Sequence, residues 1–291
     1  MRGLGETQLA VIGGDRRCAY LAQLLQQAGA SVVTAALDAD GVKRVSLEEA
    51  LSRTAVLPLP MTRDGEHLAV GDDGGRVPLI DIILAAQKDG LLFCGAAPDD
   101  FVRAAAQRHV RVRDYCAREE LLARNAVLTA EAAVAVAISG SPQALFGSRC
   151  LVVGCGRIGK PLARFLSGMG ASVTASSRKA RDKMWTRING FKAVETADIK
   201  RIAGDFDYIF NTVEAPIFDR ETLRGVRSDA LIIELASGAR GVDIPTAAQL
   251  GKSAVYAPGL PGKYAPKAAA QVLFDTLYDM ILEENQWVSY R

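Results

Sequence analysis

The stretch CLVVGCGRIGKPLARFLSGMGASVTASSR, residues 150–178, decides the fold. An apolar run at 151–153 enters a glycine turn, the turn opens a helical pattern, and a second apolar run follows at 173–176. Gly154, Gly156 and Gly159 stand at the positions of G-x-G-x-x-G, with Arg157 and Ile158 between the last two. The first glycine permits the tight turn and the second lets the backbone approach a pyrophosphate. The third lets helix and strand pack closely, with the phosphates at the helix N-terminus. Pro161 falls in the first helical turn, where a missing N–H costs little. The glycines alone are weak evidence, but here strand, turn, helix and second strand all occur in order, so this segment is expected to hold a dinucleotide.

Cofactor choice is read from the end of the second strand. An NAD-selecting acid stands about 20 residues into such a unit. This sequence has Ser176, Ser177, Arg178 and Lys179 there, and no acid. Hydroxyls and cations suit a 2′-phosphate, whereas a carboxylate would repel it. NADP(H) is therefore expected, with NAD as the alternative; a merely solvated basic turn is the bland reading. Asn211 and Thr212 close a later strand, and Ala236 follows another in ELASGARG. Carboxyl ends of parallel strands bind ligands in open sheets, so these residues are expected on the nicotinamide side. A turn-forming role for Asn211 is the competing reading.

A similar unit begins the chain, LAVIGGDRRCAYLAQLLQQAGASVVTAAL at 9–37. Its turn carries Gly13, Gly14 and then Asp15, and an acid there is a poor neighbour for pyrophosphate. Arg16 and Arg17 suit a small carboxylate, which a guanidinium grips with two parallel hydrogen bonds. This turn is expected to face substrate. The alternative is that Asp15 caps the helix and pairs with the arginines. Thr62 and Arg63 end VLPLPMTR, Glu131 interrupts the apolar helical run LTAEAAVAVAI, and Gly262 and Lys267 lie in APGLPGKYAPK; all are candidates for the substrate side. A fully buried, unpaired carboxylate would be costly, so Glu131 either faces a cleft or pairs with an arginine.

Strands and helices alternate along the chain. Strands are predicted at 9–12, 31–36, 55–59, 91–95 and 110–113, then at 151–153, 173–176, 193–194, 208–211, 231–235 and 254–256. Helices are predicted at 18–28, 99–108, 118–138 (bending near Thr129) and 268–285; 63–76 reads as a loop or short hairpin. The fold expected is α/β: two Rossmann-like, doubly wound parallel-sheet domains with a cleft between them. Residues 1–128 would form the substrate-side domain, 129–267 the dinucleotide domain, and the helical segment 268–291 would pack back on the first.

Composition narrows the function. A net charge of +2 with scattered basic residues gives no nucleic-acid footprint. The N-terminus lacks a signal-peptide run, and no segment is expected to reach membrane-spanning length. Five cysteines without CxxC spacing read as reduced, cytoplasmic thiols. The two histidines, His67 and His109, exclude a multi-histidine metal centre.

Four segments, LAVIGGDRR, GCGRIG, IIELASGARGVD and above all YAPGLPGKYAPKAAAQVL, resemble the A subunit of dipicolinate synthase from spore-forming bacteria. The similarity runs from Leu9 to about Leu282. It implies an N-terminal domain peculiar to the family, an NAD(P)-binding Rossmann domain and a second, flavoprotein-like partner subunit. It also implies oxidation of dihydrodipicolinate, or its hydroxylated precursor, to dipicolinate in the mother-cell cytoplasm. A small dicarboxylate substrate and a homo-oligomer are expected, and the resemblance transfers no catalytic residue.

Removing a hydride and a proton from a dihydropyridine yields an aromatic ring, which asks for orientation more than for a strong base. Hydroxyacid dehydrogenases of this two-domain plan use a histidine after the cofactor domain's last strands, and no histidine follows His109. A folate- or shikimate-type NADP dehydrogenase and a regulatory dinucleotide-binding subunit without its own chemistry remain as rivals.

Overall fold

Near-continuous runs of Val, Ile, Leu and Ala make strands that are buried on both faces, and such strands belong in parallel sheets covered by helices. QLAVI shows this: Leu9, Ala10, Val11 and Ile12 are all fully buried. The computed structural model describes residues 4–5, 7–71, 76–238 and 240–289. Its strands are β1 (Gln8–Ile12), β2 (Ser31–Ala35), β3 (Lys43–Arg44), β4 (Thr54–Val56), β5 (Leu91–Cys94), β6 (Arg111–Asp114), β7 (Arg149–Val153), β8 (Ser172–Ser176), β9 (Lys192–Val194), β10 (Tyr208–Asn211), β11 (Leu231–Glu234) and β12 (Ser253–Tyr256). Its α-helices are α1 (Arg16–Gln27), α2 (Leu47–Leu51), α3 (Leu79–Ala85), α4 (Asp99–Gln107), α5 (Glu119–Gly140), α6 (Gly159–Gly168), α7 (Ala180–Ile188), α8 (Ile199–Ile202), α9 (Arg220–Gly225), α10 (Ile244–Gln249), α11 (Leu260–Tyr264) and α12 (Pro266–Ser289).

The chain divides into two compact units, one of residues 1–122 with 265–291, the other of residues 123–264. Each is built on a six-stranded sheet in which every pairing is parallel. The first runs β3-β2-β1-β4-β5-β6, and the second, read from its far edge, β9-β8-β7-β10-β11-β12. Both therefore have the doubly wound order 3-2-1-4-5-6, which reverses beside the first strand and opens a ligand crevice there.

In the first unit, α12 packs along α1, so the last helix joins the sheet that begins the chain. Glu284 of α12 accepts from Arg111 and Arg113 of β6 at 2.8 and 2.6 Å. In the second unit the strands alternate between two cores, as period-two geometry requires. Cys150, Val152, Phe210 and Ile233 pack with α5 and α6 on one face; Leu151, Val153, Ile209 and Ile232 pack with α8, α9 and α10 on the other.

Three sequence expectations need correction. β3 is missing from the predicted strands because two exposed residues, Lys43 and Arg44, carry no periodic signal. The predicted domain boundary at 128/129 falls inside the unbroken helix α5, and the units part at 122/123. That helix is also long and apolar enough, by length and composition, to cross a membrane, contrary to expectation. Ala130, Ala133 and Ala137 on it are buried in the second unit's core, as a core helix requires. In the predicted loop at 63–76, Thr62 bridges Leu68 and His67 bridges Pro78, while 72–75 lie outside the described residues. Ala239 and the last two residues of WVSYR lie outside them too.

Candidate functional site

In the second unit the three glycines of the midchain turn each meet a different constraint. Gly154 has φ +100°, and a Cβ there would come within 2.5 Å of Thr212 Oγ1. A Cβ on Gly159 would collide with the Gly154 carbonyl, so the start of α6 closes directly on the strand end. A Cβ on Gly156 would meet nothing within 4 Å. Gly156 thus presents bare backbone to open space, which is where a pyrophosphate would approach. No side chain caps α6, leaving its positive end available to an anion. The turn is braced from both sides: Gly154 N–H donates to Ser176 O at 3.1 Å, and Thr212 Oγ1 donates to Val153 O at 2.8 Å.

The strand after α6 ends as anticipated, with Arg178 and Lys179 exposed. Ser177 is nearly buried and its Oγ accepts from Lys179 N–H at 3.2 Å, forming a small turn. Ser176 does not suit a cofactor contact: it is fully buried and its Oγ has no partner. Asn211 is fully buried as well, and here the turn-forming reading prevails. Its Nδ2 donates to Val213 O at 2.9 Å and to the Glu234 carboxylate at 2.8 and 3.0 Å.

Glu234 escaped the sequence reading. It is fully buried at the end of β11 and accepts from Ala236 N–H at 2.9 Å and Val242 N–H at 2.8 Å. Ala236 is thus held by Glu234 and buried. With Asn211, this carboxylate shapes the loop after β11, with no cation bound to it among the described residues. An acid closing the apolar run LIIE was the signal that could have found it, since buried carboxylates need such partners.

In the first unit the GGD turn proves largely structural. Gly13 N–H donates to Ala35 O at 2.9 Å and Gly14 N–H to Ala69 O at 2.7 Å, so neither amide is left for a substrate. Asp15 caps α1 by accepting from Arg17 N–H at 3.0 Å. The Arg17 side chain bonds both Asp15 oxygens and reaches Leu59 O at 2.7 Å. Burial works against the charge on each; their mutual hydrogen bonding and attraction outweigh it, lowering the Asp15 pKa and raising that of Arg17. Arg17 is buried, with its Nε and Nη2 engaged. Thr62 Oγ1 accepts from Gly65 N–H at 2.9 Å and bonds Asp64 at 3.2 Å, organising its own loop. Glu131 is exposed and makes no ion pair among the described residues, so neither burial nor an arginine accounts for it. Gly262, in the second unit, is buried and its N–H is used by Gly259 O at 3.2 Å.

Arg16, Arg63 and Lys267 remain exposed. Arg16 Nη2 lies 3.4 Å from Tyr20 Oη, and Lys267 Nζ lies 5.4 Å from the Tyr20 ring centroid. Two cations thus gather on one tyrosine with no carboxylate partner among the described residues. Arg63 lines a cavity of about 210 Å³ with Asp64, His67 and Arg76. Tyr115, also unanticipated, is buried under β4 and β5 and donates to Leu57 O at 2.8 Å.

Comparison with known proteins agrees with this division. Residues 8–116 match the N-terminal domain of the dipicolinate synthase A subunit, and residues 115–247 the NAD binding domain of D-isomer specific 2-hydroxyacid dehydrogenases. The chain is 27% identical over 285 residues to the dipicolinate synthase A subunit of Bacillus subtilis, covering 95% of this chain and 96% of that protein. Over nearly its whole length the chain is similar to dipicolinate synthase A subunits. The crystal structure of the B. subtilis protein superimposes with a TM-score of 0.84 at 26% identity, covering 97% of each chain. That of the Bacillus halodurans protein of the same name gives 0.86 at 23% identity, covering 96% of this chain and 98% of that one. The second unit thus matches a nicotinamide dinucleotide-binding domain of dehydrogenase type.

Proposed function

We propose that this chain is the dinucleotide-dependent component of a dipicolinate synthase, oxidising a dihydropyridine dicarboxylate with NADP as acceptor. One observation carries the reading: the family's own N-terminal domain is joined to a glycine turn whose Gly156 faces open space. Gly154, Gly156 and Gly159 would hold the pyrophosphate, and Arg178 and Lys179, both exposed and without acidic neighbours in their turn, would meet the 2′-phosphate. A bound nicotinamide would supply the hydride acceptor. Arg16 and Lys267 would receive a substrate carboxylate, the first with a planar fork and the second as a point charge. Aromatisation of dihydrodipicolinate would release a hydride, which that acceptor would take, and a proton, which would pass to water. No strong base is needed, consistent with a chain holding only two histidines.

The family name implies a second subunit; our reading gives that partner a supporting part and this chain the redox step. Stopped-flow absorbance tests it with freshly generated dihydrodipicolinate and NADP, the chain alone and with the partner. Reduced nicotinamide should appear in step with dipicolinate whenever this chain is present. Dipicolinate formed by the pair with no reduction of either NADP or NAD would overturn the reading.

A further inference from the structure

We infer that the second unit carries, beside its glycine turn, a pocket for an amphiphilic monoanion, an aromatic or acyl carboxylate. A cavity of about 590 Å³ opens between α5, α6 and α7, within the size range of sites for drug-sized ligands. Its walls are Val127, Pro161, Trp185, Ile188 and Phe191, and its floor includes Ala163 and Ala175. Protein interiors seldom leave such a space, because larger side chains would fill it. Here alanines keep the floor low, while Val127, Trp185 and Ile188 stay 42%, 52% and 64% exposed. A contiguous apolar surface of this kind is characteristic of a binding site.

Charge selects the ligand class. The described residues lining the cavity include Arg157, Lys160 and Arg164 and no carboxylate. Arg164 is tied to Asn189 Oδ1 at 2.9 Å. The Lys160 ammonium has no partner among the described residues and stands free at the mouth. The neutral polar groups are satisfied internally: Thr186 Oγ1 lies 2.8 Å from Cys155 Sγ and 2.9 Å from Asp182 O, and Asn189 Nδ2 donates to Trp185 O at 2.8 Å. An apolar body against the walls with one negative charge at Lys160 is what this lining complements. The cavity takes in Cys155 and Arg157 of the glycine turn but not Gly156, Ser177 or Arg178, so it adjoins the dinucleotide site while lying outside the pyrophosphate and 2′-phosphate contacts proposed above.

Trp185 is a built-in reporter, since Trp287 is the only other tryptophan and can be replaced by Phe. The probes are 8-anilinonaphthalene-1-sulfonate, and 4-phenylbutyrate against 4-phenylbutanol as competitors, on the full chain. We expect one saturable probe site per chain that changes Trp185 emission. Phenylbutyrate should displace the probe better than the alcohol, and Lys160→Gln should remove that preference. Ile188→Asp and Ala123→Phe, both at exposed lining positions, should each weaken the probe about tenfold, or about 1.4 kcal/mol. Circular dichroism confirms that the variants fold. Probe binding unchanged in both variants, or equal competition by acid and alcohol, would overturn the inference. So would sedimentation showing a dimer that Ile188→Asp disperses, since the groove would then be covered by a second copy.

Discussion

Glu234 and Asn211 sit opposite each other on neighbouring parallel strands, with Asn211 Nδ2 2.8 and 3.0 Å from the two carboxylate oxygens. Both side chains are fully buried, at the crevice end of β10 and β11. The same carboxylate takes two backbone N–H groups from the loop that follows. Glu234→Gln turns one acceptor oxygen into a donor facing donors, and Glu234→Ala takes the partner from the Ala236 and Val242 N–H groups and from one N–H of Asn211 Nδ2. Each unsatisfied buried group costs about 1–3 kcal/mol. Urea denaturation should show a loss of at least that size for both, with dinucleotide affinity falling in the folded protein. Glutamine behaving like wild type in both assays would show that the loop does not depend on the carboxylate.

Cofactor preference is read from Arg178. A charge-assisted hydrogen bond is worth about 1.5–3 kcal/mol, so Arg178→Ala should weaken NADP roughly 10- to 100-fold and leave NAD nearly unchanged. Titration calorimetry of both cofactors on both proteins measures this. Equal wild-type affinity for NAD and NADP would remove the basis for the 2′-phosphate assignment.

The Asp15–Arg17 pair contributes to stability rather than to substrate binding. Breaking a largely buried pair from one side costs about 3 kcal/mol, so Arg17→Met should lower stability by about that amount. Dicarboxylate affinity of the folded protein should not change. The folded pKa of Asp15 is depressed, so its contribution is complete above the unfolded value of about 3.9. It is lost as pH falls through the lower folded pKa. The stability gap between wild type and Asp15→Asn should therefore narrow below about pH 4, and a gap that widened there would contradict the pairing.

Thiol chemistry should single out one residue. Burial pushes Cys18, Cys94 and Cys116 up to about 12 and Cys150 to about 11. At pH 8 each is thiolate to about one part in a thousand or less, and the thiolate is the reactive form. Iodoacetamide on the folded protein should label Cys155 first, as read by peptide mass spectrometry. Early labelling of Cys18 or Cys94, both buried, would mean that the first unit opens readily.

The fold was legible because parallel strands announce themselves: LAVI, LLFC, LVV and LIIE are short apolar runs placed between helical patterns. Lys43–Arg44 was not, because an edge pair of two exposed residues is fixed by its neighbour strand and not by its own pattern. At the site, the glycine spacing marked a turn: Gly154 is crowded by the Thr212 side chain and Gly159 by the Gly154 carbonyl, while Gly156 faces open space. Side-chain roles were harder. Arg17 and Arg16 are adjacent and chemically identical, yet helix geometry turns one onto Asp15 and leaves the other exposed. Asn211, at a strand's carboxyl end, reads in sequence as either a ligand contact or a turn former; its partner Glu234 is 23 residues away and only the sheet brings them together.

The return of α12 to α1 makes the first unit discontinuous, with the whole of residues 123–264 spliced into it. During synthesis the ribosome delivers β1 through β6 long before the helix that covers α1. The later unit, continuous in sequence, is complete while the earlier one still waits for its final piece. The order in which the two units become complete thus runs opposite to chain order: the second has all its residues before the first receives α12.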